Sequence, residues 1–233
     1  SNLQITFLIS STIIGVTVLV LPRTATELVK SGGFIATFVT GILMAIVLVI
    51  EALLAKRFPG NTIVEFSKDV IGFIPAKVLG VIFFFHFISV SSTILRIFCD
   101  AIKVLLLEAT PLEVLIITFL FAIVYLCLNG ISSIAKICEY FEPLVIGTMF
   151  LVIILSFRNF NIEELLPAFR QDVFEWISAV PSLTISYLGI EVLLFAAPYV
   201  HNSDSVVKYG LLGILPSIIV YTLFVAVTVG TAG

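Results

Sequence analysis

The chain has 233 residues, of which 60% are hydrophobic and only 12% charged. Soluble domains carry about 25% charged residues, so too few polar groups exist here to cover a water-facing surface, and a soluble globular domain is excluded. A net charge of −3 with no basic face excludes nucleic acid as a natural partner.

A membrane-crossing helix needs about 20 mostly apolar residues. Seven segments approach that length: Ile5–Leu21, Phe34–Ala55, Val78–Leu107, Leu112–Leu128, Phe141–Phe157, Trp176–Val200 and Leu211–Val229. The runs are continuous, not alternating, which excludes barrel strands. The expected fold class is all-α integral membrane, with residues 1–233 forming one transmembrane domain.

The first segment carries Ser10, Ser11 and Thr12, then Gly15, then an aliphatic run that ends in Pro22. In the second, Glu51 lies near a helix end, where its side chain can snorkel. The connection Lys56–Lys77 contains Thr62–Ile71, whose apolar Ile63, Phe66, Val70 and Ile71 alternate with Glu65, Lys68 and Asp69. That pattern predicts a short amphipathic helix at the interface. The third segment is long enough to tilt or project from the bilayer. Its His86, Ser89, Thr93, Arg96 and Asp100 recur every three or four residues and form one polar stripe. A polar stripe in lipid should face a cavity or another helix. Arg96 and Asp100, four apart, also fit a simple mutual pair, and His86 a hydrogen bond to a neighbouring helix or a proton site.

Glu139 and Glu142 are expected in a solvated connection. In the connection Arg158–Glu175, the residues Leu165, Leu166, Phe169 and Val173 lead to Trp176 and suggest a second interfacial element, with Trp176 at headgroup level. The sixth segment repeats the first: Ser182, Thr184 and Ser186, then Gly189, then aliphatic residues up to Pro198. Matched interruptions in two halves of a chain point to a transporter-like binding site. The sixth segment stands five places after the first, which fits an inverted five-plus-five repeat. Each glycine alone also fits close helix packing. Glu191, at this depth, is a candidate for binding an ion or proton, or for locking the broken helix through backbone N–H groups.

Lys and Arg placement, six against five with Lys56, Arg57, Lys68 and Lys77 clustered, favours a cytoplasmic N-terminus. Cys99, Cys127 and Cys138 form no C-x-x-C and suit helix packing. Neither a catalytic motif, a phosphate loop nor a metal cluster is present in the sequence, so no enzyme activity and no cofactor are expected. The chain starts at Ser1 without a signal peptide, and both ends read as the ends of a fragment.

The stretch Ile14-Gly15, Leu19, Leu21-Pro22-Arg23 resembles the first helix of the spore germination permease family. Gln4, Leu165-Leu166-Pro167, Gly189-x-Glu191 and Pro198-Tyr199 agree with it in order and spacing, from Gln4 to Tyr199. The family comprises the B subunits of nutrient-germinant receptors and belongs to the amino acid–polyamine–organocation superfamily. The resemblance implies a LeuT-type fold of ten helices in two inverted repeats. Here the first repeat would cover about 1–158 and an incomplete second repeat 159–233, with the first and sixth helices broken and the eighth to tenth absent. It implies a receptor subunit of the spore inner membrane that binds a small nutrient such as a free amino acid and works with A and C subunits. Carried over by position, the ligand would meet Ser11 and the backbone around Ile14, Gly15 and Val16, and around Ser186, Leu188 and Gly189. His86 and Val90 would form a wall. A secondary amino-acid transporter with ion or proton coupling, using the same pocket, is the alternative.

Overall fold

A computed structural model describes residues 2–166, 173–200 and 205–232, and the described residues contain helices and turns but no β-strand. In chain order the helices are α1 (Asn2–Ile13), α2 (Leu21–Val29), α3 (Gly33–Arg57), α4 (Ile63–Ile71), α5 (Phe73–Leu105), α6 (Leu112–Leu128), α7 (Ile131–Ser156), α8 (Val173–Thr184), α9 (Val192–Ala196) and α10 (Val206–Ala232). Short 3₁₀ turns cover Val16–Leu19, Ile185–Tyr187 and Ala197–Tyr199.

Five stretches are long and apolar enough to cross a membrane: Leu21–Arg57, Phe73–Leu105, Ile131–Asn159, Ser178–Tyr199 and Val206–Thr231. Together with the family described below, they make this an integral membrane protein. Two of the seven expected segments correspond to shorter apolar helices, Leu3–Ile13 and Leu112–Leu128. The first is short because the helix stops at Ile13, inside an apolar run that continues. Pro22 ends the aliphatic run. It sits in the first turn of α2, where a proline's missing N–H costs nothing.

The chain divides into two compact units. The first comprises Ser1–Gly60 and Cys138–Gly233, and its core is built from α1, α2, α3, α8, α9 and α10. Here α10 packs along α3 and α1. Small residues permit this. A Cβ on Gly41 of α3 would fall 2.7 Å from Tyr187 Oη and 2.9 Å from Ile218 Cγ1. One on Gly213 of α10 would fall 2.9 Å from Ile9 Cβ. In lipid, where apolar surface gains little from leaving its solvent, such close backbone approach supplies the packing energy. Hydroxyls inside helices bond back to the preceding turn, as Thr37 does to Gly33 O and Thr40 to Ala36 O, both at 2.8 Å.

The second unit is Asn61–Ile137. The expected amphipathic helix is α4, and Thr62 is its N-cap. The Glu65 carboxylate accepts the Thr62 backbone N–H at 2.7 Å and its hydroxyl at 2.8 Å. These bonds, the backbone one foremost, hold the Glu65 carboxyl below the usual carboxylate range. Gly80 lets α5 approach Val64 of α4, and Phe98 meets Phe119 of α6 edge-on, with centroids 5.0 Å apart. In the second expected interfacial element, Leu165 and Leu166 are described, while Pro167, Phe169 and Arg170 lie outside the described residues.

Candidate functional site

Both expected interruptions are real breaks in helical geometry, and they lie in the same unit. α1 ends at Ile13. The Ile14 N–H donates to Ser10 O, and the Gly15 N–H turns back to Ile13 O, each at 2.8 Å. Gly15 then has φ −94 and ψ −145, and Val16 opens the 3₁₀ turn. The second break follows Tyr187. Leu188 is extended, with ψ 141, and Gly189 has φ +113 before the chain tightens into α9. Ser186 is buried, Leu188 is exposed, and Ile14 is buried.

The two breaks touch. A Cβ on Gly189 would lie 3.0 Å from both the Cγ2 and the carbonyl O of Thr12, the residue one before the end of α1. Thr12 spends its hydroxyl on Leu8 O, within its own helix. The contact therefore presents an apolar methyl and a backbone carbonyl to Gly189. Only glycine combines this φ with this approach.

A pair of buried tyrosines brackets the contact. Tyr221 of α10 donates its hydroxyl to Ile13 O at 2.6 Å, on the last carbonyl before the first break. Tyr187, immediately before the second break, donates to Thr37 O of α3 at 3.1 Å. The rings stand edge-on with centroids 5.4 Å apart. Neither tyrosine was singled out by sequence reasoning. Their partners lie 208 and 150 residues away, so no local signal marks them.

Glu191 accepts the Gly189 N–H at 2.8 Å through Oε2. That is the helix-locking geometry among the alternatives raised for it. Glu51 stands six residues before the end of α3, but its Oε2 is buried and has no hydrogen-bond partner, so this oxygen does not snorkel to water.

Glu142 departs most from expectation. It lies in no solvated connection. α7 begins at Ile131, ten residues before the expected segment, and runs on through Pro143, so Glu139 and Glu142 are both helical. Glu142 is 2% exposed, and Ser10, 1% exposed, donates to it at 2.5 Å. Ser11 lies beside both Glu142 and the Cys138 thiol. One turn away, Gln4 donates to Glu139 at 3.0 Å. The polar residues of 131–142 read as a loop by hydropathy alone. Cys138, Glu139 and Glu142 are tolerated in a helix because α1 supplies their partners.

The structure thus gathers Ser11, Ile14, Gly15, Val16, Ser186, Leu188, Gly189 and Glu191 in the first unit. His86, Val90, Arg96 and Asp100 lie on α5, in the second unit. His86 leans on the Phe87 ring, with centroids 5.5 Å apart. Arg96 and Asp100 pair with each other at 3.1 Å, four residues apart on the same helix. Among the described residues no group of His, Cys, Asp and Glu is arranged to hold a metal.

Comparison with known proteins gives a consistent result. The family model described as Spore germination protein matches residues 1–233. Spore germination protein A2 of Bacillus subtilis (strain 168) is 27% identical over 224 residues, 96% of this chain and 61% of that protein. Spore germination protein B2 of the same organism is 26% identical over 228 residues, 98% of this chain and 62% of that protein. Spore germination protein GerLB of Bacillus cereus is 25% identical over 231 residues, 96% of this chain and 62% of that protein. The chain therefore spans about three fifths of the length of these relatives. No solved structure matches it. With its whole length matched, the chain belongs to the spore germination permease family.

Proposed function

We propose that the chain is part of a germinant-receptor B subunit that binds a small nutrient, a free amino acid, in a mid-membrane pocket and signals germination through partner A and C subunits. The observation that carries this reading is the contact of two helix breaks at Thr12 and Gly189. Backbone freed from helical pairing inside a membrane is tolerated where it lines a cavity or is buried in protein. Half-helix ends offer N–H groups to a carboxylate and carbonyls to an ammonium, the two ends of an amino acid. Ser11, Ile14, Gly15 and Val16 supply one side, and Ser186, Leu188 and Gly189 the other. The family resemblance adds His86 and Val90 of α5 as ligand-facing candidates and a LeuT-type fold of two inverted repeats. Glu191 keeps the second break in shape. Arg96 and Asp100, paired with each other, are retained as a secondary candidate for ion or proton coupling.

Signalling requires only that the nutrient bind one arrangement of the bundle better than another. In this reading the protein resides in the spore inner membrane with its N-terminus in the cytoplasm. The family's permease label favours a second reading, a secondary transporter coupled to an ion or proton.

The test uses the full-length protein reconstituted in vesicles, with labelled amino acids. A sensor binds saturably without accumulating substrate. Sustained gradient-driven uptake would replace the sensor reading with the transporter. Binding that persists undiminished when Gly189 is changed to Leu would remove the pocket from the two breaks.

A further inference from the structure

We propose that Glu142 is a proton-binding residue whose protonation holds the half-helix α1 against α7. The residue is 2% exposed, in the middle of an apolar helix, and Ser10 donates directly to its Oε1. Ser10 and Ser11 belong to the last turn of α1, whose C-terminal carbonyls carry the negative end of the helix dipole. A second negative charge there, away from water, is opposed by both the dipole and the low dielectric.

Among the described residues, these titratable and polar groups face Glu142. From α1 come the hydroxyls of Ser10 and Ser11. On its own helix are the Cys138 thiol and Glu139, the latter taken by Gln4. From α10 comes the phenol of Tyr221, committed to Ile13 O. None of these partners is a cation. On the face of α10 that meets α1, Gly213 faces Thr6 and Ile9, and Tyr221 faces Ile13. Ser217 lies midway between them by helical register, fully buried, with a hydroxyl that has no partner. The place therefore combines a buried carboxylate with a helix C-terminus, an arrangement that calls for one positive charge. Ser10 already donates its hydrogen to Oε1, and we assign the charge as a proton on the carboxyl, taken from and returned to water. Protonated, Glu142 is neutral and α1 stays docked. Ionised, it draws in water, and α1 loosens.

The proposal does not depend on the nutrient reading, and its test uses no nutrient. Full-length protein carrying Glu51→Gln, so that this other buried carboxyl adds no band, is stepped in lipid nanodiscs from about pH 8 to about pH 5. Infrared difference spectra should gain the carbonyl band of a protonated carboxylic acid. Glu142→Gln should remove that band, and Glu113→Gln, at an exposed position, should keep it. Hydrogen exchange over residues 2–13, corrected for intrinsic rate, should slow on acidification by up to about tenfold per pH unit in the protein carrying Glu51→Gln alone. In Glu142→Gln it should stay slow at both pH values. Glu142→Asp keeps a carboxyl group and should restore both the band and the pH dependence. A band that survives Glu142→Gln, or exchange in that variant that still follows pH, overturns the proposal. So does slowing produced by Na⁺ at fixed pH, which would make the site a metal-cation site. If the Glu142→Gln protein does not fold, a spectrum without the band in the protein carrying Glu51→Gln alone overturns it.

Discussion

The two helix breaks look alike in composition, and a buried tyrosine ties each to a neighbouring helix, yet only the second has an internal lock as well. The first, at Ile14–Gly15, is held from outside: Tyr221 reaches from α10 to the last carbonyl of α1. The second, at Leu188–Glu191, is tied to α3 by Tyr187 on Thr37 O and is held from within as well: Glu191 accepts the N–H of Gly189 two residues back. Gly15 has an ordinary negative φ, and a Cβ there would find only Thr12 O, at 4.0 Å. Gly189 has φ +113 and no room. A break held only by a neighbouring helix responds to movement of that helix. A break also locked by its own side chain travels as a unit. The first is therefore the adjustable member of the pair, and the second the fixed one.

The largest expected effect comes from placing alanine at each glycine. Gly189→Ala must strain φ and push against Thr12, at a cost of about 3 kcal/mol or more. Gly15→Ala meets open space and should change stability by less than about 0.5 kcal/mol. Thermal unfolding of the two variants in nanodiscs measures the difference. Equal destabilisation would erase the asymmetry.

How far this site was legible in the sequence follows from the same contrast. Two glycines inside apolar runs marked both breaks correctly, because a helix interruption in a membrane needs a residue without a Cβ or with special backbone freedom. Composition could not tell which glycine was indispensable, since that depends on Thr12, 177 positions away in the chain but 3.0 Å from a Cβ on Gly189. α4 was legible to within a residue, because Thr62 and Glu65 form a local capping box. Glu142 was misread as solvated because its partner, Ser10, is 132 residues distant. Local pattern thus located helices and breaks, and non-local hydrogen bonds decided what holds them.

Glu191 separates shape from charge. Glu191→Ala leaves the Gly189 N–H without its acceptor and should cost about 1–3 kcal/mol, with loss of nutrient response. Glu191→Gln keeps an oxygen acceptor and removes the charge. If the carboxylate only locks the break, Gln should retain the response measured in spores, and Ala should not. Loss in both variants would assign the charge itself a role.

Tyr221→Phe should have a smaller effect. Ile13 O keeps the Gly15 N–H when the phenol is removed, so no carbonyl is left bare, and the loss should be about 1 kcal/mol. Hydrogen exchange should quicken at residues 9–16 and remain unchanged at 186–194. Quickening at both stretches would mean that the breaks are not held independently.

The smallest effect is a control for the Glu191 device. Glu65 accepts the Thr62 N–H much as Glu191 accepts the Gly189 N–H, but Glu65 is fully exposed and lies outside the apolar spans. Its folded-state pKa is lowered, so the stability it contributes is present above its unfolded value and is lost as pH falls through the folded one. Exchange protection across residues 63–71 should therefore decline on acidification below about pH 4, the ordinary range for a glutamate. Glu65→Gln should abolish that decline while leaving α4 formed. Because water competes for every bond in this box, the change should stay confined to α4 and leave residues 186–194 untouched. A response that spread to the second break would show that α4 and the break are energetically linked, and the internal hold of Glu191 would then be only part of what fixes it.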